Sequence, residues 1–573
     1  MVADHSQLAH TPLFAGLSTA RLSEIAARTT PRLFERGEHL YRVGDPSDRM
    51  WVITGGLVHV IAAGARHGPG DVVGRLRRGD TCGEVGVVVG EPRSESAVAR
   101  TSTSAVELGA AEFAELARRE PRVLTNMIRL MRSHLTRSHE QAKSRRGEQV
   151  ALAFAESVAA LRLPLVAAAT RASPRPVTAL DRELSFAGSV VTADRIASDG
   201  VTVILNSDFD LPSLSAVAGE VDRVIVFAGT ASETARLGEL PRHAGTRGDP
   251  IEVVLVGGDA ATASQAWRAD SPLRVIRCCQ RAGDEQISAT DLGWLARHIT
   301  RTKLGLALGA GGAKGFAHLG VLDVLERAGY AIDYVSGSSI GAIVGVCIAL
   351  GMHADEIDGA LRHAFDEATV DAIFKRSLGG ATGFSLLEQR LRETTGDRTF
   401  DDTLIPLSVM AVDLSARAAA PLREGPLWQA LLAATALAGV FRPYERDGRR
   451  LVDGMALVPV PTGAVLDDGA DLTVAVNLLS ENMLDRWPGD ALPAPLSGSR
   501  RRPGMLDTLL EVMDLSQRDD SARQAALADV VVSPCFGPCD WRDFHMADLF
   551  RAAGQQAAEA ELSQLRALAR PVA

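Results

Sequence analysis

Six cysteines in 573 residues, at positions 82, 278, 279, 347, 535 and 539, make neither a disulfide framework nor a paired CxxC. Cys535 and Cys539 come nearest to half a metal site, but no matching His/Cys pair stands near them, so no metal is expected. A reducing compartment, and hence a cytoplasmic protein, is the plain expectation. No run reaches the roughly 18 apolar residues that a spanning helix needs. The opening Met1-Val2-Ala3-Asp4-His5 lacks the basic and apolar regions of a signal peptide. A formal net charge of −10 argues against general nucleic-acid binding. Aromatics are scarce at 5%, yet 46% apolar residues leave ample material for cores. The length suggests about three domains.

What the chain does have is Gly337-Ser338-Ser339-Ile340-Gly341, flanked by two apolar stretches. Ala331 to Val335 runs in with β-branched residues, and Ala342 to Leu350 leads out as a small-residue helix. The pattern G-x-S-x-G between strand and helix is a nucleophile elbow. Glycines flank the turn because neighbouring backbones pass too closely for a Cβ. Ser339 would then stand at a helix N-terminus, where developing negative charge is favoured. About thirty residues earlier, Leu304 to Leu308 reads as a buried strand and Gly309-Ala310-Gly311-Gly312-Ala313-Lys314-Gly315 as a glycine loop. A helix follows over Phe316 to Arg327. Bare N–H groups in such a loop can donate to an oxyanion. A dinucleotide fingerprint fails, because the spacing needs glycine where Lys314 or Ala310 stands. Later, Arg450-Leu451-Val452-Asp453-Gly454 sets a carboxylate at the end of a short apolar run.

With these motifs in this order, residues 303 to about 560 resemble the patatin-like phospholipase family, and within it the bacterial relatives of neuropathy target esterase. That family carries G-G-G-x-[KR]-G, then G-x-S-x-G, then D-G-[GA]. The 114-residue separation of Ser339 and Asp453 suits it, as do Phe400-Asp401-Asp402 and Ala438-Gly439-Val440-Phe441-Arg442-Pro443. Two positions depart from the pattern: Ala310 replaces the first loop glycine, and Met455 the small third residue of D-G-[GA]. The resemblance implies a serine lipid-ester hydrolase acting on phospholipid or lysophospholipid. Ser339 and Asp453 would be its catalytic dyad, and Gly311, Gly312 and Ala313 its oxyanion hole. Lys314, Gly337 and Gly341 would lie near the substrate. In the α/β-hydrolase order, a triad with His545, the one histidine after Asp453, is the rival arrangement. His318 reads as a core or supporting residue.

Residues 10 to 110 read as short strands separated by turns, among them Met50 to Ile53 and Leu57 to Ile61. With Pro12 to Ser18, a helix from Ala20 to Arg28, and Cys82-Gly83-Glu84-Val85-Gly86 leading to Pro92-Arg93-Ser94-Glu95, this region resembles a cyclic nucleotide-binding domain. The resemblance assigns the ligand's ribose to Glu84 and its cyclic phosphate to Arg93, with Gly83 and Ser94 beside them. The expected ligand is cyclic AMP or cyclic GMP. Glu95 stands where a small residue is usual, and a carboxylate there would repel the phosphate by a few kcal/mol if it faced it (~5 Å, effective dielectric about 20). A nucleotide-binding barrel and a vestigial one both remain open.

Residues 111 to 160 read as helical, with Lys143, Arg145 and Arg146 near the polar end. Between 160 and 300, Val201 to Leu205, Arg223 to Phe227 and Ile251 to Val256 read as buried strands of an α/β layer. The expected architecture is therefore multidomain. A jelly-roll-like β-barrel with its C-terminal helix spans 10–140, a middle α/β domain 150–300, and a three-layer patatin-like α/β domain 303–565. Phe384, Leu386 and Leu387 are candidates for an acyl groove, and Arg500 to Arg502 for an exposed loop touching anionic headgroups. Peripheral membrane contact and a homo-oligomer are compatible with this reading. The rival function is a nucleotide-responsive scaffold whose hydrolase fold is inactive.

Overall fold

The computed structural model describes residues 11–62, 72–99, 103–127, 148–181, 200–206, 221–240, 251–258, 273–281, 287–366, 369–370, 381–479 and 505–571, apart from scattered positions within these ranges. Arg500 to Arg502 and the basic stretch at 143–146 lie outside them. The chain divides into two compact units, Met1–Glu148 and Gln149–Ala573.

The first unit holds strands β1 (Thr30–Phe34), β2 (His39–Tyr41), β3 (Arg49–Gly55), β4 (Leu57–Ala62), β5 (Val72–Arg77), β6 (Thr81–Cys82), β7 (Glu95–Ala99) and β8 (Thr103–Gly109). They form two four-stranded sheets, ordered β1-β8-β3-β6 and β2-β7-β4-β5, antiparallel wherever the register is described. Phe34, Trp51 and Ile53 from one sheet pack with Leu40, Val58, Ala97 and Ala99 from the other, so the sheets share one core. This is the expected jelly-roll-like barrel. The helix Ala110–Arg119 follows it.

In the second unit, β9 (Glu148–Phe154), β10 (Val177–Asp181), β11 (Val201–Asn206), β12 (Arg223–Ala228), β13 (Ile251–Val256) and β14 (Leu273–Cys279) make a six-stranded sheet, ordered β10-β11-β9-β12-β13-β14. Strands expected over Val201, Arg223 and Ile251 are present. Strand β9 corrects the helical reading of residues 111–160. Val150, Leu152 and Phe154 point into one buried layer, Ala151 and Ala153 into the other. With both faces covered, as in parallel sheets, the strand shows no polar alternation.

The last sheet is built from β15 (Leu304–Leu308), β16 (Ile332–Ser338), β17 (Leu407–Asp413), β18 (Ala418–Leu422), β19 (Tyr444–Arg446), β20 (Arg449–Asp453), β21 (Leu472–Val476) and β22 (Val530–Val532). Its order is β19-β20-β17-β16-β15-β21-β22, with β18 paired to β17. Strands β17, β16, β15, β21 and β22 run parallel. Leu306 and Leu308 face a core shared with helices Phe316–Arg327, Ile340–Ala349 and Ala547–Leu568, while Ala307 faces the opposite layer with Val465 and Ala525. That is a three-layer α/β arrangement. No helix of the described residues is long and apolar enough to cross a membrane.

The two sheets of this unit are tied by one buried ion pair. Arg297, on the helix Ala289–Thr300, donates twice to Asp333 on β16, at 2.8 and 2.7 Å. Asp333 also accepts from the Leu304 N–H at 2.9 Å. Its carboxylate is 1% exposed. Asp333→Ala would strand the guanidinium without its partner, a loss of about 3–5 kcal/mol in chemical denaturation. A loss nearer 1 kcal/mol, typical of an exposed pair, would show that the tie is not a buried one.

Candidate active site

Strand β16 ends at Ser338, and the helix Ile340–Ala349 begins two residues later. Ser339 sits between them with φ 55° and ψ −124°. A serine held at positive φ is strained, which is the geometry of a nucleophile elbow. The flanking glycines make the turn sterically feasible: a Cβ at Gly337 would run into the Gly341 carbonyl, and one at Gly341 into the Leu308 carbonyl. This packing is their role, and neither lines the cavity. Both glycines flank Ser339 and act on the cavity through the shape of the turn.

Strand β20 runs back toward the elbow, pairing Asp453 with Ala411 on β17. The result is a contact of 2.8 Å from the Ser339 Oγ to Asp453 Oδ2. Asp453 Oδ1 accepts from the Met455 N–H at 2.8 Å. Burial pushes the Asp453 pKa up to about 6 despite these two hydrogen bonds. Met455, the departure from D-G-[GA], thus supplies an N–H to the carboxylate, and it also lines the cavity. His545 is exposed in the short turn Phe544–Met546 and is not among the partners of Asp453.

Gly311, Gly312, Ser339, Ile340 and Asp453 line a cavity of about 110 Å³. Its remaining walls are Ile343, Phe365, Val370, Leu387, Thr435, Leu437, Phe441, Met455, Trp541 and Phe544. Leu387 is where the acyl-groove expectation places it, and Leu386 is not. The side chain of Phe384 lies outside the description. The aromatic residues Phe365, Trp541 and Phe544 were not singled out from the sequence, because each reaches the site through long-range packing that leaves no local pattern.

The glycine loop is partly committed already. The Ala310 N–H donates to the Pro459 carbonyl at 2.9 Å and the Ala313 N–H to the Trp541 carbonyl at 2.6 Å. Ala313 is therefore removed from the oxyanion donors. Among the described residues no partner is recorded for the N–H groups of Gly311, Gly312 or Ile340. Lys314 is also corrected: it is buried, does not line the cavity, and its ammonium lies 5.8 Å from the centre of the Phe536 ring. His318 is fully buried, with Nε2–H donating to the Gly309 carbonyl at 2.8 Å. Burial pushes its pKa down to about 4, so it is neutral at pH 7 and serves to hold the strand end before the loop.

In the first unit, Glu84 opens the short helix Glu84–Val89 and is buried. Arg93 is buried too. Its Nη1–H donates to the Gly83 carbonyl at 2.5 Å and its Nη2–H to the Arg49 carbonyl. Its guanidinium lies 4.5 Å from the Tyr41 ring centre. Ser94 is exposed and Glu95 half-buried.

Residues 306–466 match the patatin-like phospholipase family, and residues 31–120 match the cyclic nucleotide-binding domain. The chain thus carries a patatin-like phospholipase domain behind an N-terminal cyclic nucleotide-binding domain. Over 97% of its length it is similar to an uncharacterized NTE family protein of Mycobacterium tuberculosis, 23% identical over 580 residues and covering 96% of that protein. It is also similar to patatin-like phospholipase domain-containing protein 6 of Homo sapiens, 25% identical over 530 residues, which are 79% of this chain but 38% of the human one. A solved cyclic nucleotide-binding domain from Methylobacillus flagellatus aligns with 24% of this chain and 78% of its own, at 24% identity and a TM-score of 0.22.

The raised pKa of Asp453 makes a stability prediction. The folded chain binds this proton more tightly than the unfolded one, so the carboxyl's contribution is full below the unfolded pKa. It is lost as the pH rises through about 6. Asp453→Asn should stabilise the second unit at pH 8 by up to about 3 kcal/mol, and the gain should vanish near pH 4. An unchanged or lower denaturation midpoint at pH 8 would refute the burial cost.

Proposed function

We propose that this chain hydrolyses carboxylic ester bonds of phospholipids or lysophospholipids, with Ser339 as nucleophile and Asp453 as its base. The observation that carries the reading is the 2.8 Å contact between the strained Ser339 hydroxyl and a buried carboxylate whose pKa is pushed up to about 6. A carboxylate with a pKa nearer to neutrality is a better base than an ordinary aspartate. Ser339 Oγ attacks the ester carbonyl while its proton passes to Asp453. The oxyanion forms against the free N–H groups of Gly311 and Gly312, joined by that of Ile340, the residue after the nucleophile. Collapse expels the alcohol, which takes the proton from Asp453. Asp453 then deprotonates a water, which attacks the acyl carbonyl; the bond to Ser339 Oγ breaks, Oγ takes the proton back from Asp453, and the fatty acid is released. The apolar walls from Ile343 to Phe544 suit an acyl chain.

The patatin-like phospholipase match and the name of the human relative support a lipid ester as the substrate class. The six cysteines, none of them in a disulfide, support a reducing, cytoplasmic setting. Ester release by the full chain should fall by about 10³-fold or more in Ser339→Ala and in Asp453→Asn. It should also lose rate below pH about 6, where Asp453 takes up its proton. Activity retained by either variant would refute the dyad.

We also propose that the barrel takes cyclic AMP or cyclic GMP, with Glu84 on the ribose and Arg93 on the cyclic phosphate, and that the ligand regulates hydrolysis. The cyclic nucleotide-binding match supports this reading. Arg93 would exchange the Gly83 and Arg49 carbonyls for phosphate oxygens, so part of the gain is spent releasing them, and weak binding is expected. Calorimetry should show a heat of binding that disappears in Arg93→Ala and strengthens in Glu95→Ala. No heat from the unmodified chain with either nucleotide would leave the barrel vestigial.

A further inference from the structure

A segment well beyond the matched family region reaches back to the glycine loop. Trp541 lies outside residues 306–466, yet its carbonyl accepts the Ala313 N–H at 2.6 Å. Gly312, at φ 56°, rests directly on it: a Cβ there would stand 2.5 Å from the Trp541 carbonyl oxygen, 3.1 Å from indole Cε3 and 3.2 Å from the Trp541 Cβ. Three residues on, Phe544 stacks on Phe365 with ring centres 5.1 Å apart, and both rings line the cavity.

The segment is itself anchored. It leads into the helix Ala547–Leu568, which crosses Phe316–Arg327, the helix that begins where the glycine loop ends. The crossing is close because a Cβ at Gly320 would strike the Arg551 carbonyl, and one at Gly554 the Ala317 carbonyl. Arg551 then forks onto Asp323 at 2.7 and 2.8 Å, and Gln555 adds a bond to the same carboxylate at 2.9 Å. The same C-terminal element therefore grips the loop at Ala313 and the helix behind it at Asp323.

We propose that Trp541 is a positioning residue for the oxyanion donors, an assignment that rests on the ester-hydrolase reading. An N–H group and the preceding carbonyl share one rigid peptide plane. Fixing the Ala313 N–H on Trp541 fixes the Gly312–Ala313 plane. The Gly312 N–H lies in the preceding plane, and the close packing of Trp541 on the Gly312 Cα, held at φ 56°, restricts the rotation that would turn it away. The indole seated over Gly312 keeps the Trp541 carbonyl in place. The mechanism asks those donors to meet the oxyanion at hydrogen-bond distance, and a displacement of about 1 Å can cost roughly 10²-fold in rate.

The test uses p-nitrophenyl acetate, butanoate and octanoate with the full chain and its Trp541→Ala, Trp541→Phe and Phe544→Ala variants. Acetate is too short to use the acyl walls, so its kcat isolates the donors. Trp541→Ala should lower kcat by roughly 10- to 100-fold for all three esters, with the KM for acetate little changed. Trp541→Phe keeps a ring over Gly312 and should recover most of the loss. Phe544→Ala should instead raise KM, and mainly for octanoate. An acetate kcat in Trp541→Ala equal to that of the unmodified chain overturns the proposal, as does a loss confined to octanoate. Trp541→Leu under the same criteria replaces an alanine variant that does not fold. Amide exchange at Ala313 separates this inference from the functional reading. Faster exchange in Trp541→Ala supports the grip even in a chain with no Ser339-dependent hydrolysis, whereas unchanged exchange removes it.

Discussion

Withdrawing an ionisable carboxyl from water is costly, and the last sheet of the second unit is built so that Asp453 is held in that state. Two neutral donors, the Ser339 hydroxyl and the Met455 N–H, are the hydrogen-bond partners recorded for its oxygens. Neither offsets desolvation fully, which is why its proton affinity rises. The group can be kept there only by surroundings that do not yield. Strand β20 is therefore paired on β17 beside β16, and the segment carrying Asp453 and Gly454 is pressed against β17, where a Cβ at Gly454 would strike the Met410 carbonyl. The positive φ of Ser339 belongs to the same economy. Strain at the elbow persists because parallel strands on one side and an all-apolar helix on the other leave it no other conformation.

Much of this could be read directly. G-x-S-x-G encodes steric exclusion between consecutive residues, so Ser339 at the strand–helix junction was legible without coordinates. The helix Phe316–Arg327 and strands β11, β12 and β13 were legible because uninterrupted β-branched runs, or apolar residues at helical spacing, need no distant partner to declare themselves. Asp453 required the resemblance to a family as well, since an aspartate after Leu451-Val452 has many innocent explanations.

What escaped reading has a common cause. Whether an N–H in the glycine loop is free depends on a carbonyl more than two hundred residues away, and no local pattern records that; hence Ala313 was counted among the donors although Trp541 had claimed it. Lys314 looked like a substrate-facing cation, but it is buried beside Phe536. Strand β9 looked helical because alanines alternate with larger residues between two covered faces, which erases the polar alternation that marks a half-buried strand. The same applies to Arg93: its residue type suits a phosphate, yet its donors rest on two backbone carbonyls, one from β3.

Strand β16 bears the tie to the middle sheet near its beginning, at Asp333, and delivers the nucleophile just past its end, at Ser339. An extended segment behaves as a ruler: side chains alternate in direction, and its length is fixed to within a few tenths of an ångström per residue. Removing or adding one residue between these two positions would turn one of them to the wrong side of the pleat. Either the guanidinium of Arg297 would lose its counter-charge or the hydroxyl would swing away from its carboxylate. The spacing between residues 333 and 339 therefore acts as a single indivisible unit, coupling the anchoring of the strand to the aim of the nucleophile.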